Sequence, residues 1–226
     1  MPRRKEVLAT NEVYHVLNRS VGSQPIFGDF SGCTRMVNLI DFYRFEKPGL
    51  RFSYYNHLPQ KDKKMFLDNL RARGKKLIEI YAFCLMPNHF HLLLKQVRDG
   101  GIARFMRNVQ NAYAKYFNIR NERFGSLFQL MFKVIRIETD EQFIHVARYV
   151  HLNPATDYLV KEAEELKSYR WGSFGNYIGN FSYSFIEKDE LLRMFGSKDK
   201  LIQFTLDQVD YQRKLAEVKH LTLEEK

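Results

Sequence analysis

Residues 77–97 read as two strands separated by a three-residue turn, and that short connection constrains everything around it. Leu77–Leu85 is a strongly apolar run, Met86-Pro87-Asn88 is the turn, and His89–Val97 is the returning strand. A link this short makes a hairpin of neighbouring antiparallel strands, since parallel strands need a long crossover. The second strand opens with His89-Phe90-His91. Side chains of a strand alternate faces, so the two histidines project together while Phe90 points the other way. Their Cα atoms then lie roughly 6.5 Å apart, at about 3.3 Å of rise per residue. Two imidazoles at that spacing can share one metal ion. Two satisfied or surface histidines fit the same pattern, so the pair needs a matching group elsewhere.

The flanking segments supply the rest of a sheet. Residues 13–20 alternate and predict a strand, and 30–45 carry Met36, Leu39, Ile40, Phe42 and Tyr43 at helical spacing. The stretch 46–76 changes character, with Lys47-Pro48-Gly49, Pro59 and a charged run from Gln60 to Lys76. It predicts an insertion with one cationic helix over about 60–73, ended by Gly74. Gly100–Asn118 predicts a helix whose apolar stripe includes Ile102, Phe105, Met106, Val109, Tyr113, Tyr116 and Phe117. Residues 127–138 predict a strand. Thr139, with Gln142 three residues on, opens a helix expected to run to Asn153 and to stop at Pro154. The order β-α-β-β-α-β predicts an α+β fold: a ferredoxin-like split β-α-β sandwich with an antiparallel sheet, plus the inserted helix and a helical C-terminal extension. The main domain is expected over 1–160. The extension over 161–226 holds Trp171 in a loop and charged helical segments at 187–195 and 199–218.

The charge balance narrows the partner. The 226 residues carry a net charge of +10, which attracts nucleic acid or an anionic membrane. No apolar run approaches the ~18 residues of a membrane helix, so no membrane association is expected. The first residues have no apolar core of a signal peptide, so a cytoplasmic protein is expected. Cys84 lies in an apolar strand and reads as a reduced core thiol.

The group that matches the histidines lies on the helix after Thr139. Its core stripe is Phe143, Val146, Ala147 and Val150, and a flanking face holds Gln142, His145, Tyr149 and Asn153. Tyr149 and Asn153 stand four apart, about 6 Å along the axis at ~1.5 Å per residue. A hydroxyl and an amide oxygen therefore sit side by side. Tyr113 is the rival hydroxyl, but it falls at the centre of its helix's apolar stripe and reads as core. His145 and His151 read as exposed or hydrogen-bonded histidines, and Glu79 and Glu138 as strand-margin carboxylates. Lys95 shares the face of His89 and His91 and reads equally as a phosphate contact or a solvated lysine. Arg19, Arg104, Arg107, Lys115, Lys133 and Arg136 are the other candidate DNA contacts.

Three strings together carry a resemblance: Leu85-Met86-Pro87-Asn88-His89-Phe90-His91-Leu92-Leu93-Leu94, Tyr149-Val150-His151-Leu152-Asn153-Pro154, and Tyr14-His15-Val16-Leu17-Asn18-Arg19. Over about residues 10–180 the chain resembles the HUH-type single-tyrosine transposases, within them most nearly those associated with repetitive extragenic palindromes. The resemblance implies His89, His91 and Asn153 as metal ligands and Tyr149 as nucleophile. It implies a divalent cofactor, Mg2+ or Mn2+, and a single-stranded DNA substrate flanked by a hairpin. Nicking and strand transfer would then run through a covalent 5′-phosphotyrosine, in a monomer or homodimer. Two positions depart from the family pattern. Phe128-Gln129-Leu130-Met131-Phe132 lacks a basic residue found in relatives, and Trp171-Gly172-Ser173 replaces tryptophan-serine-serine. A non-catalytic single-strand binder of the same fold, stacking bases on exposed aromatics, and a metal hydrolase without a tyrosine adduct are the alternative readings.

Overall fold

The computed structural model describes residues 6–214. Strand β1 (Val13–Arg19) leads to helix α1 (Phe30–Tyr43), then to α2 (Phe52–His57) and α3 (Gln60–Ala72). The hairpin is β2 (Ile78–Met86) and β3 (His89–Gln96), followed by α4 (Gly101–Arg120), β4 (Lys133–Ile137) and α5 (Asp140–Thr156). Three short helices follow: α6 (Phe174–Ile178), α7 (Asp189–Phe195) and α8 (Lys198–Leu206). The four strands form one sheet in the order β2-β3-β1-β4. The ends of β1 and β3 pair antiparallel: Asn11 N–H donates to the Gln96 carbonyl (2.7 Å) and Ser20 N–H to that of Asn88 (2.8 Å). The ferredoxin-like α+β fold is therefore as expected.

By packing, the chain divides into two compact units. The first takes the chain up to Glu79, with Pro87–His89 and Leu94–Arg136. Here α1 packs on α4, and Tyr113 is fully buried with its hydroxyl donating to the Ile26 carbonyl. Helix α4 begins hard against the chain before β2. A Cβ on Gly101 would lie 2.4 Å from the Leu77 carbonyl oxygen, so only glycine fits there.

The second unit takes Ile80–Met86, Phe90–Leu93 and the chain from Ile137 on. Tyr81 of β2 meets Phe143 of α5 edge to face at 4.9 Å, and Phe83 meets Phe185 at 5.6 Å. Leu152, Ala155, Leu166 and Phe174 form a shared core between the end of α5 and the C-terminal extension. Buried Ser173 ties three segments together. Its Oγ accepts from Phe83 N–H (2.9 Å) and lies 3.0 Å from His151 Nε2.

Three expectations change. The insertion holds two helices, because Phe52 and Tyr55 of α2 bury their rings against Phe42 at 5.2 and 5.0 Å. A six-residue helix is too short to show a period. The strand expected over 127–138 shrinks to Lys133–Ile137. The Asn18 side chain explains this: its amide donates to the Gln129 carbonyl and its oxygen accepts from Arg19 N–H, taking groups a ladder would use. Finally, Pro154 does not end α5. It removes one hydrogen bond, yet the helix runs on to Thr156, where Asp157 N–H donates to the Asn153 carbonyl (3.0 Å). Arg213 then caps the end, its Nε donating to the Ala155 carbonyl (3.0 Å). The helix expected over 199–218 is instead interrupted at Asp207 and Gln208, after α8 ends at Leu206, and its positions beyond 214 lie outside the described residues. Cys33 and Cys84 are both buried free thiols, as expected for Cys84.

Ser173→Ala should leave the Phe83 N–H and the His151 ring without their partner. A loss of about 1–3 kcal/mol in urea denaturation is expected; an unchanged midpoint would show that the hydroxyl holds nothing together.

Candidate active site

The Pro87-Asn88 turn orients the first histidine. Asn88 Nδ2 donates to the Ser23 carbonyl (3.2 Å), which turns its Oδ1 toward His89 Nδ1 (2.6 Å). An amide oxygen only accepts, so Nδ1 carries the proton and Nε2 is the unprotonated nitrogen of the ring. His89 is only 6% exposed. Burial, and secondarily the Arg19 charge, pull its pKa down to about 4, which keeps the ring neutral. This is the state a metal needs.

His91 is 3% exposed, and its ring meets the Tyr149 ring edge to face at 5.5 Å. Tyr149 is half-buried on α5, whose N-terminus is fixed by a reciprocal pair. Thr139 Oγ1 accepts from Gln142 N–H (3.1 Å), and Gln142 Oε1 accepts from Glu138 N–H (2.8 Å). Asn153 is 4% exposed and its Nδ2 donates to the Tyr149 carbonyl (2.7 Å), so the amide nitrogen is used within the helix and Oδ1 is its acceptor. A neutral imidazole such as His89 and an amide oxygen such as that of Asn153 are donors a divalent cation accepts. Among the described residues, no three His, Cys, Asp or Glu side chains are placed to hold an ion.

The other candidates separate. His151 is fully inside the second unit, against Phe174 and Tyr177, and burial takes its pKa to about 3. His145 is exposed beside Arg148 (2.7 Å), and Glu79 pairs with Lys76 (3.4 Å). Glu138 is exposed at the start of α5. Arg19 is exposed beside His89, and Lys95 is half-buried on β3. Arg107 and Lys133 are exposed, whereas Arg136 is bound to Glu12 (2.9 Å). Arg104 and Lys115 line a cavity in the first unit instead. Sequence spacing does not single out Asn88, which orients a histidine, or His15, a buried imidazole with pKa lowered to about 4 by burial. The sequence signal for Asn88 is its place at the end of the turn, directly before the first histidine.

Residues 56–153 match the family described as transposase, IS200-like. This segment holds both strand histidines, Tyr149 and Asn153. Over this segment the chain is similar to IS200-like transposases. The expected resemblance to the HUH tyrosine transposases is thus borne out. A solved REP-associated tyrosine transposase, bound to a REP hairpin, shares the transposase fold at a TM-score of 0.53 and 12% identity, covering 83% of this chain and 98% of its own. No curated protein matches. No helix among the described residues is long and apolar enough to cross a membrane.

His15, His89 and His151 give the chain a defined acid sensitivity. Each is held neutral in the folded chain to about pH 4 or below, whereas the unfolded chain takes up the protons near 6.5. Stability is full above about pH 6.5 and falls as pH drops toward 4, because protons bind the unfolded state preferentially. Urea midpoints measured across this range should fall, and His151→Gln should flatten the slope. An equally steep fall in that variant would exclude His151 as a contributor.

Proposed function

We propose that this transposase cuts and rejoins single-stranded DNA, with Tyr149 as the nucleophile and His89, His91 and Asn153 as ligands of a divalent ion, Mg2+ or Mn2+. The observation that carries the reading is the contact of Tyr149 with His91, which brings the half-buried tyrosine ring to one of the two strand histidines. A tyrosine hydroxyl titrates near pH ~10 and attacks poorly by itself. When bound, the ion would act as a Lewis acid on the phosphodiester and offset charge in the transition state.

The chain's own residues do the rest. Tyr149 Oη forms a bond to phosphorus while the bond from phosphorus to the 3′-oxygen breaks; the tyrosine proton leaves to solvent and the strand departs with a 3′-hydroxyl. The 5′-phosphate stays on the protein, so the bond energy is kept. A 3′-hydroxyl of a second strand can then reverse the step and join. Asn88 holds the His89 ring in the tautomer that presents Nε2. Helix α5 holds Tyr149 and Asn153 in fixed register, and burial of its last turn keeps both placed. Arg19 beside His89 and Lys95 on the same strand face are the backbone-phosphate contacts assigned to the cleavage strand. The bound hairpin of the REP-associated neighbour makes a hairpin-flanked strand the first substrate to test.

Denaturing electrophoresis after incubation with a labelled hairpin oligonucleotide and Mn2+ tests the assignment. Tyr149→Phe should retain DNA binding and lose the covalent adduct, whereas Tyr113→Phe should keep it. An adduct in Tyr149→Phe would overturn the nucleophile. His89→Ala with His91→Ala should abolish metal-dependent nicking while leaving salt-sensitive binding nearly intact. Asn88→Ala should weaken the Mn2+ dependence of nicking about 10- to 100-fold, through loss of ring orientation; an unchanged metal titration would remove that role.

A further inference from the structure

A cavity of about 900 Å³ opens in the first unit against α1, α2 and α4 and has no part in the chemistry given to Tyr149. Its size is at the upper end of the ~300–1,000 Å³ common for small-molecule sites. The wall is strongly one-signed. Arg35, Lys47, Arg51, Arg104, Lys115 and Arg120 face a single carboxylate, Glu46. Arg120 already pairs with Asp29 (3.0 Å), but Arg35 is different. Its guanidinium lies over the rings of Phe52 (5.3 Å) and Tyr116 (4.6 Å), half-buried, and has no hydrogen-bond or ion-pair partner among the described residues. The side-chain amides of Asn56, Asn108 and Asn111 also line the space, and none has a hydrogen-bond partner among the described residues.

An occupant that answers all of this has three parts. It needs a flat face for the half-buried Tyr43 ring and the planar Arg35 guanidinium, edge donors and acceptors for the amides, and an anionic group for Arg35. Inorganic phosphate would leave the flat surfaces unused, and an apolar ligand would strand the guanidinium. A nucleotide has all three parts, since every base offers a π face and hydrogen-bonding edges beside its phosphate.

We propose that this cavity is a second nucleotide site, taking one unstacked base with its 5′-phosphate on Arg35. The choice of a nucleotide among planar anions rests on the DNA-handling reading above. The nucleotide comes either from the bound strand or free from solution.

Calorimetric titration of the full chain with 2′-deoxyadenosine 5′-monophosphate tests the site. Wild type and Tyr149→Phe should bind it alike, and deoxyadenosine without phosphate should bind at least tenfold more weakly. Arg35→Gln, which removes the charge, and Ala112→Trp, which fills the cavity from α4, should each weaken the mononucleotide at least tenfold. No binding at millimolar mononucleotide, or binding indifferent to both variants, would overturn the proposal. A 2-aminopurine-labelled single strand separates the two sources. If the mononucleotide relieves its quenching, the pocket takes a base of the strand; if the two bind independently, it takes free nucleotide. The readout does not involve the tyrosine adduct, so loss of cleavage chemistry and loss of this site are told apart.

Discussion

The two-residue turn Pro87-Asn88 is the constraint on which the site depends. Its backbone is held from several directions: Ile26 N–H donates to the Pro87 carbonyl (2.7 Å), and Ser20 N–H to that of Asn88 (2.8 Å). The turn therefore fixes the register of β3. A slip of one residue would turn His89 and His91 to the opposite face and bring Phe90 in their place. The same turn supplies the amide that sets the His89 tautomer. Strand register and imidazole chemistry thus share one local device.

Neutrality is the second theme. Burying an imidazole disfavours its charged form, so His89 remains a nitrogen donor well below the pH at which an exposed histidine would protonate. In the proposed site Asn153 would add an uncharged oxygen. Such a ligand set, without carboxylates, would leave an ion's charge available to a phosphate, at the cost of weak binding until other oxygens join. The cost to folding appears as acid sensitivity, which the buried His15 and His151 share without any assigned part in chemistry.

The C-terminal extension also has a structural reason. The last turn of α5 is buried on nearly every side, from Val150 to Ala155. Leu166, Phe174 and Val209 cover it, Ser173 bonds it to β2, and Arg213 caps its carbonyls. The segment after Pro154 is therefore part of what holds Tyr149 and Asn153 in place. Hydrophobic periodicity gave no hint of this, because a turn buried all round has no stripe.

Local spacing accounts for what was legible in the chain alone. The order of strands and helices, the shared face of His89 and His91, the core position of Tyr113 and the i, i+4 relation of Tyr149 to Asn153 all follow from periods of 2 and 3.6 residues. Each of these is decided by neighbours in sequence. Other features required residues far apart to meet: Phe42 gathering the rings that make α2, Asn18 interrupting the approach to β4, and Arg213 closing a helix that continues beyond a proline. The meeting of His91 with Tyr149 and the cation-lined cavity over Arg35 belong to the same class. The sequence by itself determined which side chains share a face; only the tertiary structure decided which faces meet, because contacts between distant residues depend on packing that no local period encodes.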